Sequence, residues 1–178
     1  MTSDFSKTYF DLFDLPIAYA IDSARLDAAY REVQSRVHPD RFASAPEADR
    51  RRSMQWATYA NEAYQTLRKP LSRARYLINL NGVDTEEETN TAMPADFLMK
   101  QMEWRETVAD AKHGKDASVL NSVDDQLAEE RKTLLVRLEK NIDLDRDYRN
   151  AAMAVRELRF LEKLQEEIED ALASFDEI

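Results

Sequence analysis

The sequence predicts an all-α protein, and three features carry that prediction. Glycine occurs only twice in 178 residues. Ala, Leu, Glu, Arg and Lys dominate, the residues that lose least on entering a helix. Apolar residues recur at spacings of three and four, which gathers them on one helical face; a strand would alternate them. The length suits one ordinary domain or two small ones.

The elements follow in order. Tyr9, Phe10, Leu12, Phe13 and Leu15 form a short apolar helix stopped by Pro16. Asp22 and Ser23 are good N-caps for a second helix, in which Leu26, Tyr30, Val33 and Val37 make one stripe. A residue preceding proline is biased away from the α region, so this helix ends at Val37 or His38. After the polar loop "FASAPEAD", a third helix runs from about Ala48 to Lys69. Its expected inner face is Met54, Ala57, Ala60, Ala63, Tyr64 and Leu67, and the small alanines suit close approach to the antiparallel second helix. A further helix, "SRARYLINLN", stops at Gly82, a natural residue for the left-handed position past a helix end.

The stretch "VDTEEETNTAMP" is acidic and lacks apolar periodicity. It reads as a linker over residues 83–94, the alternative being an exposed loop within one domain. Three long amphipathic helices follow, from Pro94 to about Lys112, from Ala117 to Asn141 and from Arg146 to Ala173. The last carries the stripe Val155, Leu158, Leu161, Leu164, Ile168, Leu172 and Phe175. Three such helices with short connections make an up-down-up bundle. The expected organisation is one domain over residues 1–82, the linker, and a bundle over residues 95–178.

Composition removes several classes of function. A net charge of −10 makes the chain a poor ligand for nucleic acid or an anionic membrane, since phosphate contacts need clustered Lys and Arg. With no cysteine there is no disulfide, thiolate zinc site or thiol catalysis. The N-terminus "MTSDFSKTYF" lacks a signal pattern, and no apolar run is long enough to span a bilayer, so a soluble cytoplasmic protein is expected. Neither a cofactor nor a metal is called for.

One motif interrupts the helical text. In "QSRVHPDRFAS", Pro39 stops a helix and leaves His38 and Asp40 flanking it on a loop between two antiparallel helices. The bland reading is a helix stop with two incidental polar residues. A metal-dependent hydrolase built on His38 is another, but His113 is the one other histidine and falls in the other expected domain. No nucleophile elbow or glycine-rich phosphate loop accompanies it, so no catalytic residue is assigned.

The surrounding strings "AAYREVQSRVHPDRF" and "NEAYQTLRKPLSRARYL" make this region similar to the J-domain of the DnaJ class of co-chaperones, through Tyr30, His38, Pro39, Asp40, Ala63, Tyr64 and Leu67. The resemblance implies that the loop and second helix engage a DnaK-type chaperone and stimulate its ATPase. Arg31, Arg36 and Arg41 match basic positions of that surface. Asp27, Ala28 and Glu32 stand where many J-domains carry Lys or Arg, which thins the basic patch and suits a specialised chaperone partner.

The helix "ADFLMKQMEWRETVADA" carries more apolar surface than one bundle face uses. At about 100° per residue, Phe97, Trp104, Val108 and Ala111 form the core stripe. Leu98, Met99 and Met102 fall outside it. They are either a widened core face with Met filling gaps, or an exposed apolar patch of the kind that marks a protein-binding site. Phe160, on the flank of the last helix, is expected to join that patch.

The strings "YFDLFDLP", "HPDRFAS", "LRKPLSRARYLINLNG", "FLMKQMEWRE" and "VRELRFLEKL" resemble the HscB family of iron–sulfur cluster biogenesis over nearly the whole chain. That resemblance implies an IscU-type scaffold partner for the C-terminal bundle and HscA, a DnaK-type chaperone, for the J-domain. It puts scaffold-binding positions on Leu98, Met99, Met102, Glu103, Arg105, Glu106 and Phe160, with Asp110 matching an acidic rim position less closely. Some relatives carry an N-terminal Cys-x-x-Cys extension; without it, this chain is not expected to ligate a cluster itself. A J-domain co-chaperone with a different client is the alternative.

Overall fold

A computed structural model of the chain describes residues 8–42, 44–90 and 92–176, without the side chains of Pro39 and Asp176. Every regular element among these residues is helical. The chain divides into two compact units, residues 1–77 and 78–178, with the boundary inside the helix Pro70–Leu80.

The first unit is built on an antiparallel pair, α2 (Ser23–Val37) and α3 (Glu47–Arg68), with the short α1 (Tyr9–Leu12) packed on α3. Asp22 starts α2 by accepting from the N–H groups of Ala24 and Arg25, and Thr8 forms a reciprocal capping box with Asp11. The α2–α3 contact rests on stacked aromatic rings, Tyr30 on Tyr64, with centroids 4.0 Å apart. The Tyr64 hydroxyl donates to Asp27 at 2.8 Å. Ala60 and Ala63 are fully buried and let the two backbones approach. Tyr9 stacks on Tyr76 and donates to Glu62; burial, then that hydrogen bond, push its hydroxyl up to about 12.

Met54, expected on the inner face of α3, is 58% exposed. The buried stripe of α3 runs through Ala60, Ala63, Tyr64 and Leu67 and continues back through Ser53. At about 100° per residue, Met54 lies off its centre. Hydrophobicity singled out Met54, whereas the period selects its polar neighbour.

α4 (Pro70–Leu80) starts on a proline, whose missing N–H costs nothing in a first helical turn. It ends as expected at Gly82, with φ +74 and the paired bonds Val83 N–H to Ile78 and Gly82 N–H to Asn79.

The second unit packs α5 (Ala95–Gly114), α6 (Ala117–Glu139) and α7 (Tyr148–Asp176) in a bundle, with a π-helical turn at Lys140–Leu144 between the last two. Phe97, Trp104, Val108 and Ala111 are the buried residues of α5, as the stripe predicts. The turns between helices use charged residues in the left-handed region: Lys115 (φ 53) and Arg146 (φ 54) here, and Asp14 (φ 50) and Glu86 (φ 51) elsewhere. Gly114 remains helical, and Asp116 directly caps α6 through Ser118 and Val119. The hydrogen bonds of Asp116 and Asp147 to helix N-termini hold both carboxyls below their ordinary range.

The segment over residues 83–94 is fastened to the second unit. Arg156 of α7, 8% exposed, donates from Nη1 to the Thr85 carbonyl at 3.0 Å and from Nε to the Ala92 carbonyl at 3.4 Å. The segment also folds on itself: Asp84 accepts from Glu86 N–H, and Asn90 bonds the Glu86 side chain and backbone. Around Arg156, α7 is buried on every side, with Ala151, Ala152, Ala154, Val155, Glu157 and Leu158 all inaccessible. Glu157 is 1% exposed and pairs with Arg137 of α6.

Two expectations follow. A hydrogen bond from a charged group is worth about 1.5–3 kcal/mol, so Arg156→Met should lower stability by about that amount. In hydrogen exchange, residues 84–90 should lose protection while α6 keeps it. Burial raises the Glu157 carboxyl pKa; Arg137 opposes the shift, while Glu130 of α6 and Asp96 of α5 add to it. Its contribution to stability is therefore fully present below the ordinary carboxylate range, about pH 4, and is lost as pH rises through the elevated folded value. Thermal melts should show Glu157→Gln gaining on the wild type between about pH 4 and neutrality; a constant difference would count against this.

Candidate interaction sites

The His-Pro-Asp turn is an exposed point on a tightly fixed base. α2 stops at Val37, and a single 3-10 turn covers Pro39–Phe42. Two of the last carbonyls of α2 find side-chain partners. Val37 O accepts from the buried Ser53 hydroxyl at 2.6 Å, and Ser35 O accepts from Arg41 Nη1 at 2.8 Å. His38 O accepts from Arg41 N–H at 3.0 Å. The side chains of His38 and Asp40 are 53% and 89% exposed. Asp40 N–H reaches His38 Nδ1 at 3.3 Å, with Asp40 Oδ2 3.5 Å from the same nitrogen, so the tripeptide closes on itself. Pro39, the third residue of the motif, has its side chain outside the described set. Among the described residues, no group of three or more His, Asp or Glu is arranged to hold a metal ion.

The three arginines assigned to this surface are not equivalent. Arg36 pairs with Glu32 one turn earlier on the same helix. Arg41 is committed to the Ser35 carbonyl. Arg31 is exposed and has no ion-pair partner among the described residues, so its charge is the one most available to another molecule.

On α5 the surplus apolar residues point outward: Leu98 is 39%, Met99 73% and Met102 72% exposed. Glu103, Arg105 and Glu106 are exposed around them. The helix beneath is held on both flanks. Lys100 pairs with Glu130 of α6 at 2.7 Å, Lys112 pairs with Glu167 of α7 at 2.8 Å, and Trp104 Nε1 donates to Gln126 at 3.1 Å. An apolar patch rimmed by charge, on a rigid helix, is what a protein-binding face requires.

Phe160 departs from the expectation. It is 7% exposed, packed edge-on against Phe97 at 5.9 Å and covered by the Arg105 guanidinium at 5.3 Å. It lies beneath the α5 surface, closing the core against Arg105, and is no part of the exposed patch. The buried Phe97 draws its aromatic neighbour inward, and a cation over the ring face is a stable cover. Sequence reasoning also missed Ser53 and Arg156. A polar residue at the centre of an apolar stripe was the available signal for Ser53, and the alanine-rich run before Arg156 was the signal that α7 is enclosed.

Comparison with known proteins is consistent throughout. Residues 93–169 match the family described as the HSCB C-terminal oligomerisation domain. A protein of Burkholderia thailandensis described as a co-chaperone protein HscB homolog is 53% identical over 161 residues, 90% of this chain and 91% of that one. One of the same description from Aromatoleum aromaticum is 46% identical over 99% of both chains. Among solved structures, the chaperone HscB from Vibrio cholerae superposes with a TM-score of 0.81 at 34% identity, covering 95% of this chain and 99% of that one. The human co-chaperone protein HscB superposes with a TM-score of 0.87 at 28% identity, covering 93% of this chain and 82% of that one. Similarity at this level over nearly the full length means that the chain belongs to the HscB co-chaperone family.

Proposed function

We propose that this chain is an adaptor of iron–sulfur protein maturation. It holds an IscU-type scaffold protein on its second unit, delivers it to the DnaK-type chaperone HscA, and stimulates HscA's ATPase through its first unit, acting as a J-domain in the cytoplasm. The observation that carries this reading is a shared design. In each unit, a few outward-facing side chains stand on a base held by its own polar contacts, Ser53 and Arg41 under the turn and Lys100, Trp104 and Lys112 along α5. The α2–α3 hairpin presents His38 and Asp40, with Arg31 as the free charge that steers encounter. The α5 face presents Leu98, Met99 and Met102, with Glu103, Arg105 and Glu106 setting specificity at its rim. Phe160 contributes through Arg105, whose position it fixes. The chain has no thiol with which to take a cluster from the scaffold, so cluster chemistry stays with the partner.

The decisive measurement is HscA ATP turnover with and without this protein and an IscU-type scaffold. His38→Gln and Asp40→Asn should each abolish stimulation without loss of helicity. Normal stimulation by both would remove the J-domain mechanism. On the other face, replacing Leu98, Met99 and Met102 together with Ala should leave the melting temperature nearly unchanged, since exposed changes usually stay within about 0.5 kcal/mol. Scaffold affinity in a calorimetric titration should fall by roughly 2 kcal/mol or more. Phe160→Ala should behave differently, costing about 3–5 kcal/mol of stability as a buried aromatic truncation. A triple variant that binds normally would move the scaffold site elsewhere or assign this unit another client.

A further inference from the structure

The α5 face concentrates the accessible sulfur of the described residues. Of the methionines among the described residues, Met99 and Met102 are the most exposed, at 73% and 72%, and they stand three residues apart on one helical face. Met54, 58% exposed, lies in the other unit, and Met93 and Met153 are half-buried. There is no cysteine to consume an oxidant first. Susceptibility to oxidation follows accessibility, and a methionine sulfoxide is polar where the thioether was apolar.

We propose that Met99 and Met102 are a reversible oxidation site that disables this face under peroxide. Each thioether sulfur attacks one oxygen of hydrogen peroxide. An S–O bond forms as the O–O bond breaks, the sulfur loses two electrons, and the peroxide leaves as water. The result is two sulfoxides beside Leu98 in a patch whose adhesion depends on being apolar. A thiol-dependent methionine sulfoxide reductase reverses the change, returning the sulfur to thioether as two thiols become a disulfide and the oxygen leaves as water. Docking of the scaffold thereby falls under oxidising conditions, and the helix itself stays folded because neither side chain contributes to the core. The consequence for docking rests on the scaffold-binding reading above.

The test uses the full-length protein. Peroxide-treated and untreated wild type are titrated with an IscU-type scaffold, and sulfoxide positions are read by peptide mass mapping. Met99 and Met102 should oxidise ahead of Met93 and Met153, and the dissociation constant should rise roughly ten- to thirty-fold, the loss of a binding hot spot. A mixture of the two stereospecific reductases with dithiothreitol should restore it. The Met99→Leu, Met102→Leu double variant, compared only with its own untreated form, should be insensitive to peroxide, while Met54→Leu should remain as sensitive as the wild type. The inference is overturned by wild type carrying both sulfoxides and binding undiminished, by a loss the reductases do not reverse, or by an equal loss in the treated double variant. If the Ala triple variant also binds normally, the scaffold-binding reading falls with it. If that variant fails to bind while the doubly oxidised protein binds well, only the oxidation inference falls.

Discussion

The second unit depends on how α7 buries two adjacent opposite charges. Removing a guanidinium and a carboxylate from water is expensive, and an unpaired ion at such a site would unfold its surroundings or lose its charge. Arg156 and Glu157 point around the helix in different directions, so one ion pair between them does not solve both problems. Glu157 is met by Arg137 of α6. Arg156 is met by two main-chain carbonyls of the preceding segment. The second solution requires Thr85 and Ala92 to lie against α7, and with them goes the point at which Pro94 and Ala95 begin α5. The direction in which Leu98, Met99 and Met102 face is therefore set in part by a charge on a different helix.

The first unit meets a comparable demand with smaller means. A helix that stops abruptly at a proline leaves carbonyls without partners. Here Ser53 and Arg41 supply them. The side chains of His38 and Asp40 contact each other only within the turn and stay largely exposed. In both units the outward-facing residues stand on others that hold the backbone beneath them.

Much of this was legible in the sequence because local rules and tertiary demands agreed. Pro39 and Asp22 bounded α2, and the period of α5 separated its core stripe from its outward residues. The rest was hidden where they disagreed. Met54 is hydrophobic but off the stripe, while Ser53 is polar but at its centre, because it serves a carbonyl on another helix. Phe160 has the pattern of a flank residue, yet Phe97 and Arg105 enclose it. The segment over residues 83–94 has the composition of a tether, yet Arg156, more than sixty residues away in sequence, bonds two of its carbonyls, a pairing that no periodicity encodes.

The scarcity of glycine has a consequence at the turns. Left-handed backbone costs an ordinary residue roughly 1–2 kcal/mol, and four charged residues bear it here. Two of them are tied by side-chain bonds, Asp14 to Arg25 and Glu86 to Asn90. Lys115 and Arg146 have no such tie among the described residues, and both lie away from the α5 patch in sequence. Glycine at these two positions would exchange the strain for its own smaller entropy cost. This chain's architecture thus leaves room for a heat-tolerant form, hardened at the corners of the bundle with its exposed apolar face untouched.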